Sequence, residues 1–174
     1  MKKTPFLVVA ILLLGLIFSL PATAQIPLPG KAAPLFILPD LDGANRSLSE
    51  YRGKVVLLAF WATWCTSCLA EMPALDKLHT GYQGKAFSVL SVSLDGRTGP
   101  VRDFLRKKNL SLPVLMDSEK EASFDLYAVT ALPAAFLIGP DGLVLDRFIG
   151  EQDWGSGNAR RVIDTAIAGK ERRP

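Results

Sequence analysis

The chain has 174 residues, 49% of them hydrophobic and 21% charged, and its formal net charge is +3 at pH 7. This length suits a single domain with a full hydrophobic core. The 20 basic and 17 acidic side chains nearly balance and form no basic patch, which excludes nucleic acid as an expected partner.

The first 24 residues have the pattern of a secretory signal peptide. Lys2 and Lys3 precede an uncharged apolar run over residues 6–20, and small residues before position 25 fit a cleavage site. The run is shorter than the about 20 residues that a spanning helix needs. We predict a signal peptide over residues 1–24 and export to the periplasm. The alternative is an uncleaved N-terminal helix that anchors the protein in the inner membrane.

The rest of the chain alternates between strand and helix patterns. Residues 25–34, with three prolines and a glycine, are predicted to be a flexible lead-in to a domain over residues 35–174. In chain order the patterns predict a β-hairpin over 35–38 and 46–48, a strand over 55–62, a helix over 66–82, a strand over 87–94, a helix over 101–108, a strand over 112–116, a helix over 119–127, strands over 134–138 and 143–149, and a helix over 158–168 that ends at Gly169.

The apolar run VVLLAFWA over residues 55–62 decides the fold class. An uninterrupted apolar strand is typical of a sheet that is covered on both faces, which implies parallel neighbours and helices on either side. The tight turn Gly-Pro-Asp-Gly over residues 139–142 joins two later strands into an antiparallel hairpin. We therefore predict an α/β fold with a central mixed β-sheet flanked by helices and an N-terminal β-hairpin.

The chain's two cysteines, Cys65 and Cys68, lie in the stretch WATWCTSCLAEMP. They could form a redox pair, a structural disulfide or half of a metal site. A bridge over so short a loop adds little stability, because the stabilisation grows with loop length. A metal site needs further ligands, and the one histidine, His79, lies about 21 Å from Cys65 along a helix. The pattern favours a redox pair, with no metal and no other cofactor.

The position of the pair predicts different roles for the two thiols. Cys65 falls where a buried strand turns into a helix, and the free N–H groups and the dipole of a helix N-terminus stabilise a thiolate. Cys-x-x-Cys thiols have pKa values of about 3.5–7.5, against about 8.5 for a free thiol. Cys68 is one turn further along and more covered. We expect Cys65 to attack a substrate disulfide and Cys68 to resolve the mixed disulfide.

Several motifs together resemble the TlpA/ResA-like branch of the thioredoxin superfamily. APLFILPDLDG, LSEYRGKVVLLAFWATWC, the Glu-Met-Pro after the cysteines and ALPAAFLIGPDG stand in that family's order, with its central αβ insertion at about residues 98–116. The resemblance implies a thioredoxin-like fold and an exported thiol–disulfide oxidoreductase, usually a protein-disulfide reductase. It also implies a monomer that takes electrons from a membrane thiol donor and acts on protein thiols or disulfides, with apocytochrome c in cytochrome c maturation as one such substrate.

The resemblance also places a substrate-binding surface around the cysteines. A cis proline lies opposite the redox pair in this superfamily, which assigns a cis bond to Pro133 and substrate docking to the backbone of Leu132. The base rate for cis X–Pro bonds, about 5–6%, would by itself predict a trans bond. Trp64 is expected to cover the nucleophile and to contact substrate. Thr66 and Ser67 lie beside the thiolate, and Ser67 replaces the proline that the family usually carries.

Glu71 is predicted to be the third catalytic residue. On its own, a carboxylate on a helix is an ordinary surface charge. Glu71, however, lies three residues after Cys68, on the same face of the helix. Cys68 must lose a proton to resolve the mixed disulfide, and Ala59 stands where thioredoxins carry a buried aspartate for that purpose. The matching glutamate of the family is an active-site residue.

Two other functions compete with disulfide exchange. A thiol peroxidase of the same superfamily needs Thr or Ser three residues before its cysteine and Pro four residues earlier. Those positions hold Ala62 and Leu58 relative to Cys65, and Cys65 and Trp61 relative to Cys68. The other alternative is a non-catalytic binding module that carries a disulfide.

Overall fold

The computed structural model describes residues 26–171, so the predicted signal peptide lies outside the described part of the chain. The strands of this part are β1 (Ile37–Pro39), β2 (Asn45–Ser47), β3 (Val55–Trp61), β4 (Phe87–Ser93), β5 (Val114–Met116), β6 (Ala134–Ile138) and β7 (Val144–Ile149). The α-helices are α1 (Thr66–Gly81), α2 (Thr98–Lys108) and α3 (Gly157–Glu171), with a 3-10 turn at Leu48–Tyr51 and a π-helical turn at Glu121–Leu126.

Five strands form the central sheet in the order β5-β4-β3-β6-β7, and β1 and β2 form a separate two-stranded hairpin. β3, β4 and β5 are parallel to one another, whereas β6 and β7 each run antiparallel to their neighbours. The predicted mixed sheet and N-terminal hairpin are confirmed. α2 and β5 form the predicted αβ insertion, and β5 becomes one edge of the sheet.

β3 is buried along its whole length, which explains its continuous apolar sequence. Each of its residues is at most 5% exposed, because strands flank it on both sides and helices cover the sheet. Phe60 of β3, Phe136 of β6 and Tyr127 form an aromatic cluster, with ring centroids 5.0–6.0 Å apart. The Tyr127 hydroxyl also donates to the Pro34 carbonyl oxygen at 2.9 Å. This aromatic cluster packs β6 against the strand that leads to the cysteines.

The helix predicted over residues 119–127 is a single π-helical turn, Glu121–Leu126. The carboxylate of Asp117 accepts hydrogen bonds from the N–H groups of Ala122 (3.2 Å) and Ser123 (2.7 Å). These bonds satisfy N–H groups that have no partner at the start of a helix and hold the turn against the end of β5. Asp117 is 1% exposed, so the turn is anchored in the protein interior.

Two α-helices are longer than the sequence pattern indicates. α2 begins at Thr98 rather than at residue 101, and Pro100 is accommodated because the first turn needs no N–H donor there. α3 continues through Gly169 rather than ending at it. A glycine inside a helix costs about 1 kcal/mol, which a helix packed on the core through Ile163 can tolerate. No helix within residues 26–171 has the length and hydrophobicity to cross a membrane.

The segment predicted to be a lead-in contacts the C-terminal hairpin. The N–H of Gly30 donates to the carbonyl of Val144, the N–H of Val144 donates to the carbonyl of Lys31, and the N–H of Ala33 donates to the carbonyl of Gly142. Ala33 is 4% exposed. Residues 30–33 therefore pack on the β6–β7 hairpin rather than standing apart from the domain.

Candidate active site

The cysteine pair lies between the carboxyl end of β3 and the start of α1. Cys65 is the N-cap residue of α1, with extended backbone angles, and Cys68 lies in its first turn. The two sulfurs form a disulfide of 2.08 Å, with the Cα atoms 5.2 Å apart. The Cys65 Sγ accepts a hydrogen bond from the Cys68 N–H at 3.2 Å. A helix of 16 residues thus places its N-terminus, with the Cys68 N–H, at the Cys65 sulfur, an arrangement that stabilises a thiolate in the reduced pair.

The two cysteines differ in their access to solvent. Cys65 is 9% exposed and lines a surface groove, whereas Cys68 is 1% exposed and does not line it. The Ser67 Oγ lies 3.5 Å from the Cys65 Sγ. A disulfide outside the protein can reach only the Cys65 sulfur without a rearrangement.

The loop that carries Cys65 is fastened by a buried carboxylate at the end of the neighbouring strand. Asp95, two residues after β4, accepts hydrogen bonds from the Thr63 N–H (2.9 Å), the Thr63 hydroxyl (2.6 Å) and the Ser93 hydroxyl (2.7 Å). The sequence analysis missed Asp95. An acidic residue directly after an apolar strand, next to the strand that leads to the cysteines, was the available signal.

Leu132 and Pro133 lie beside the cysteine loop because of the strand register. Ala134 pairs with Phe60 across the β3–β6 ladder, so the residues just before β6 flank the end of β3 that leads to Cys65. The Leu132–Pro133 peptide bond is cis, as the resemblance implies. The Pro133 carbonyl accepts a hydrogen bond from the Gly150 N–H at 2.9 Å.

The groove beside Cys65 has a volume of about 710 Å³. Of the predicted substrate-binding residues, Trp64, Thr66, Ser67 and Leu132 line it, whereas Pro133 is buried behind it. The other lining residues are Ala70, Leu94, Lys120, Phe124, Val129, Thr130, Ala131 and Glu151. The structure therefore brings four of the five predicted residues to one surface that includes the accessible sulfur.

Glu71 is not a surface charge, because its side chain is enclosed by the loop that follows β7. It is 7% exposed, and its carboxylate accepts hydrogen bonds from the Trp154 Nε1–H (3.2 Å) and from the Gln152 N–H. Trp154, which the sequence analysis left without a role, is 4% exposed and packs edge-on against Phe148. The available sequence signal for a role of Trp154 was its position as a tryptophan in a glycine-rich loop.

Burial raises the pKa of the Glu71 carboxyl. The hydrogen bonds from Gln152 and Trp154 lower this pKa in part, and the nearby charge of Glu151 raises it further. The net direction is upward. Glu71 is thus a carboxyl that holds a proton more readily than a free glutamate, on the helix that carries both cysteines.

The raised pKa of Glu71 gives a testable dependence of stability on pH. The folded protein binds a proton at Glu71 more readily than the unfolded chain, so the stabilisation is complete at low pH and is lost as pH rises through the folded pKa. The free energy of unfolding of the parent, minus that of Glu71→Gln, should therefore increase as pH falls from about 7 to about 4. Urea unfolding at several pH values measures this difference, and Glu119→Gln, which removes an exposed carboxylate, is the matched control. A flat difference for Glu71→Gln would contradict the assigned shift.

Comparison with known proteins places this site in a family. The sequence pattern of the AhpC/TSA family matches residues 29–147. The chain belongs to the AhpC/TSA family. Within this family the chain is similar to the thiol-disulfide oxidoreductase ResA of Bacillus anthracis, at 37% identity over 123 residues, which is 71% of this chain and 70% of that protein. The predicted TlpA/ResA-like relationship is confirmed, and the AhpC/TSA protein described here is a thiol–disulfide oxidoreductase.

Solved structures of similar proteins agree with the fold. A Chlorobium tepidum protein described as the thiol:disulfide interchange protein DsbE superposes with a TM-score of 0.75 at 32% identity, over 82% of this chain and 99% of that one. A thiol-disulfide oxidoreductase from Bacteroides fragilis NCTC 9343 superposes with a TM-score of 0.66 at 30% identity, over 76% and 99%. The predicted thioredoxin-like fold is confirmed.

Proposed function

We propose that this AhpC/TSA family member is an exported protein-disulfide reductase in which Cys65 is the nucleophile and Cys68 the resolving thiol. The observation that carries the proposal is the asymmetry of the pair. The Cys65 sulfur lies at a helix N-terminus and lines an open groove, whereas the Cys68 sulfur is enclosed behind it. That arrangement suits an attack by one thiol and an internal release by the other.

The reaction proceeds in two exchanges that conserve electrons and protons. The Cys65 thiolate attacks one sulfur of the substrate disulfide, a bond forms between Cys65 and that sulfur, and the other substrate sulfur leaves as a thiolate and takes up a proton. Cys68 then loses its proton and attacks the Cys65 sulfur. The Cys65–Cys68 disulfide forms, the mixed disulfide breaks, and the second substrate thiol is released. The substrate disulfide is reduced by two electrons, and an external dithiol donor reduces the enzyme again.

Glu71 is proposed to accept the proton of Cys68 in the second exchange. Glu71 lies three residues after Cys68, about 4.5 Å further along the helix axis, and the raised pKa brings the basicity of its carboxylate closer to that of a thiol. The hydrogen bonds from Trp154 and Gln152 fix its orientation. Because Glu71 is enclosed within the protein, bulk water is a poor substitute for it.

The groove and the family together support a protein substrate in the periplasm. The backbone that precedes β6 lies beside the Cys65 sulfur, where Leu132 can pair with an extended substrate segment. We propose periplasmic export, a membrane thiol as electron donor, and protein disulfides, including that of apocytochrome c, as substrates. N-terminal sequencing of the exported protein tests the cleavage expected after residue 24.

The reduction potential of the Cys65–Cys68 pair tests the direction of electron flow. A reductase should have a potential well below about −200 mV, whereas an oxidant of disulfide formation lies near about −120 mV. Equilibration of the protein with mixtures of reduced and oxidised dithiothreitol, followed by thiol alkylation, measures the potential. We also expect the reduced protein to reduce insulin when a dithiol donor is present. A potential near that of the oxidants, or no reduction of insulin, would contradict the proposal, and turnover of an organic hydroperoxide would favour a peroxidase instead.

A further inference from the structure

The groove beside Cys65 crosses the end of the central sheet at which β3 leads to the cysteines, and it carries opposite charges towards its two ends. Lys120 comes from the segment that follows β5, since its N–H donates to the carbonyl of Asp117 at 3.0 Å. Glu151 lies two residues after β7, which is the edge strand on the opposite side of the sheet from β5. Cys65 follows the central strand β3. Four strand spacings separate β5 from β7, a span of about 19 Å.

These two charges are available to a partner. Neither Lys120 nor Glu151 takes part in an ion pair within residues 26–171, and both side chains are exposed. The Lys120 Nζ lies 6.0 Å from the centre of the Phe124 ring. A segment bound along the groove would therefore meet a cation towards one end and an anion towards the other.

Two exposed aromatic side chains line the same groove. Trp64, directly before Cys65, is 66% exposed, and Phe124 is 51% exposed. Phe124 is carried by the π-helical turn that the buried Asp117 holds, so the backbone that presents its ring is anchored before a substrate binds. Large aromatic side chains on a binding surface are typical anchors for an apolar side chain of the partner.

We propose that the groove selects an extended protein segment with a defined pattern around its reacting cysteine; this inference rests on the proposed function. An apolar side chain next to that cysteine contacts Trp64 and Phe124. An acidic side chain lies towards Lys120, and a basic side chain lies towards Glu151. At about 3.3 Å per residue, the span of about 19 Å holds about six residues, which places each charge about three residues from the cysteine, on opposite sides of it. The preferred substrate is thus a patterned protein segment rather than any small disulfide.

Seven-residue peptides with a central cysteine test this pattern. Each cysteine is joined to 2-nitro-5-thiobenzoate as a mixed disulfide, so that attack by the reduced protein releases a coloured thiol. The peptides carry leucine or serine next to the cysteine and an acid and a base three residues away, in both orders. Each second-order rate constant is divided by the constant for the symmetric small disulfide 5,5′-dithiobis(2-nitrobenzoate). This ratio removes any difference between variants in the reactivity of the thiols themselves, including a difference caused through Glu71.

We expect the parent to prefer the leucine peptide over the serine peptide by about tenfold, and Phe124→Ala to lose most of this preference. Leu145→Ala removes a side chain that is 37% exposed and lies outside the groove, so this control should keep the preference. The order of the two charges should change the rate by about two- to fivefold, as for an exposed ion pair. In the double variant Lys120→Glu and Glu151→Lys, the peptide with the opposite order of charges should become the faster one.

Distinct results separate this inference from the proposed function. A normal rate with the small disulfide, but equal rates for all peptides, would overturn the groove selectivity alone. The same leucine preference in the parent and in Phe124→Ala would overturn the proposed contact between Phe124 and the apolar side chain of the substrate. A reduced protein that fails to react even with the small disulfide would overturn the proposed reductase function and this inference with it.

Discussion

The Cys65→Ser variant is expected to reduce protein disulfides at least about 1000-fold more slowly than the parent, because it removes the nucleophile itself. A serine hydroxyl is not ionised near neutral pH, so the helix N-terminus has no anion to stabilise. Cys68 cannot take over, since its sulfur is 1% exposed. Turnover of insulin with a dithiol donor measures the loss.

The Cys68→Ala variant provides the matched comparison. It keeps the first exchange and lacks the second, so it should accumulate mixed disulfides with its substrates through Cys65. Non-reducing electrophoresis and mass spectrometry detect these adducts. If Cys65→Ser formed such adducts and Cys68→Ala did not, the assignment of the two thiols would have to be reversed.

The Phe136→Ala variant is expected to lower the free energy of unfolding by about 3–5 kcal/mol. Phe136 is fully buried in β6, where its ring meets those of Phe60 and Tyr127 at 6.0 and 5.0 Å. Removing it leaves a cavity in the aromatic cluster that packs β6 against β3, and close-packed interiors relax only partly around such a cavity.

Phe124→Ala makes the same chemical change at a side chain that is 51% exposed. Its free energy of unfolding should stay within about 0.5 kcal/mol of the parent, as for most surface substitutions. Urea unfolding of both variants compares them directly. Equal losses for the two variants would mean that the aromatic cluster does not hold the sheet together.

Local pattern was enough to predict the α/β class with its mixed sheet and the cysteine pair, whereas the family resemblance supplied the thioredoxin-like fold. The uninterrupted apolar run of β3 is typical of a buried central strand, and the two cysteines follow it at a spacing that closes a disulfide in one helical turn. Helix limits were less predictable. α3 passes Gly169 because packing of Ile163 on the core outweighs the local cost of a glycine.

The contacts that shape the site depend on residues far apart in the chain. Trp154 donates to Glu71 across 83 positions, and Asp95 accepts from Thr63 across 32. No periodicity links such residues, because the strand order of the sheet brings them together. The sequence could place Glu71 on the correct helix face, but its enclosure by the loop after β7 became visible only in three dimensions.

The reactive atoms come from one short stretch of this chain, whereas much of the groove beside Cys65 comes from other stretches. Both sulfurs lie within a four-residue stretch, whereas Lys120, Phe124, Leu132 and Glu151 belong to segments that follow β5, precede β6 and follow β7. On the proposed function, an insertion or substitution in the segment that follows β5 would change the groove without altering the cysteine stretch, whereas the segment after β7 also contacts Glu71. The same scaffold can therefore diversify into paralogues with new clients by changing its loops, and a loop transplanted between relatives should carry its client preference with it.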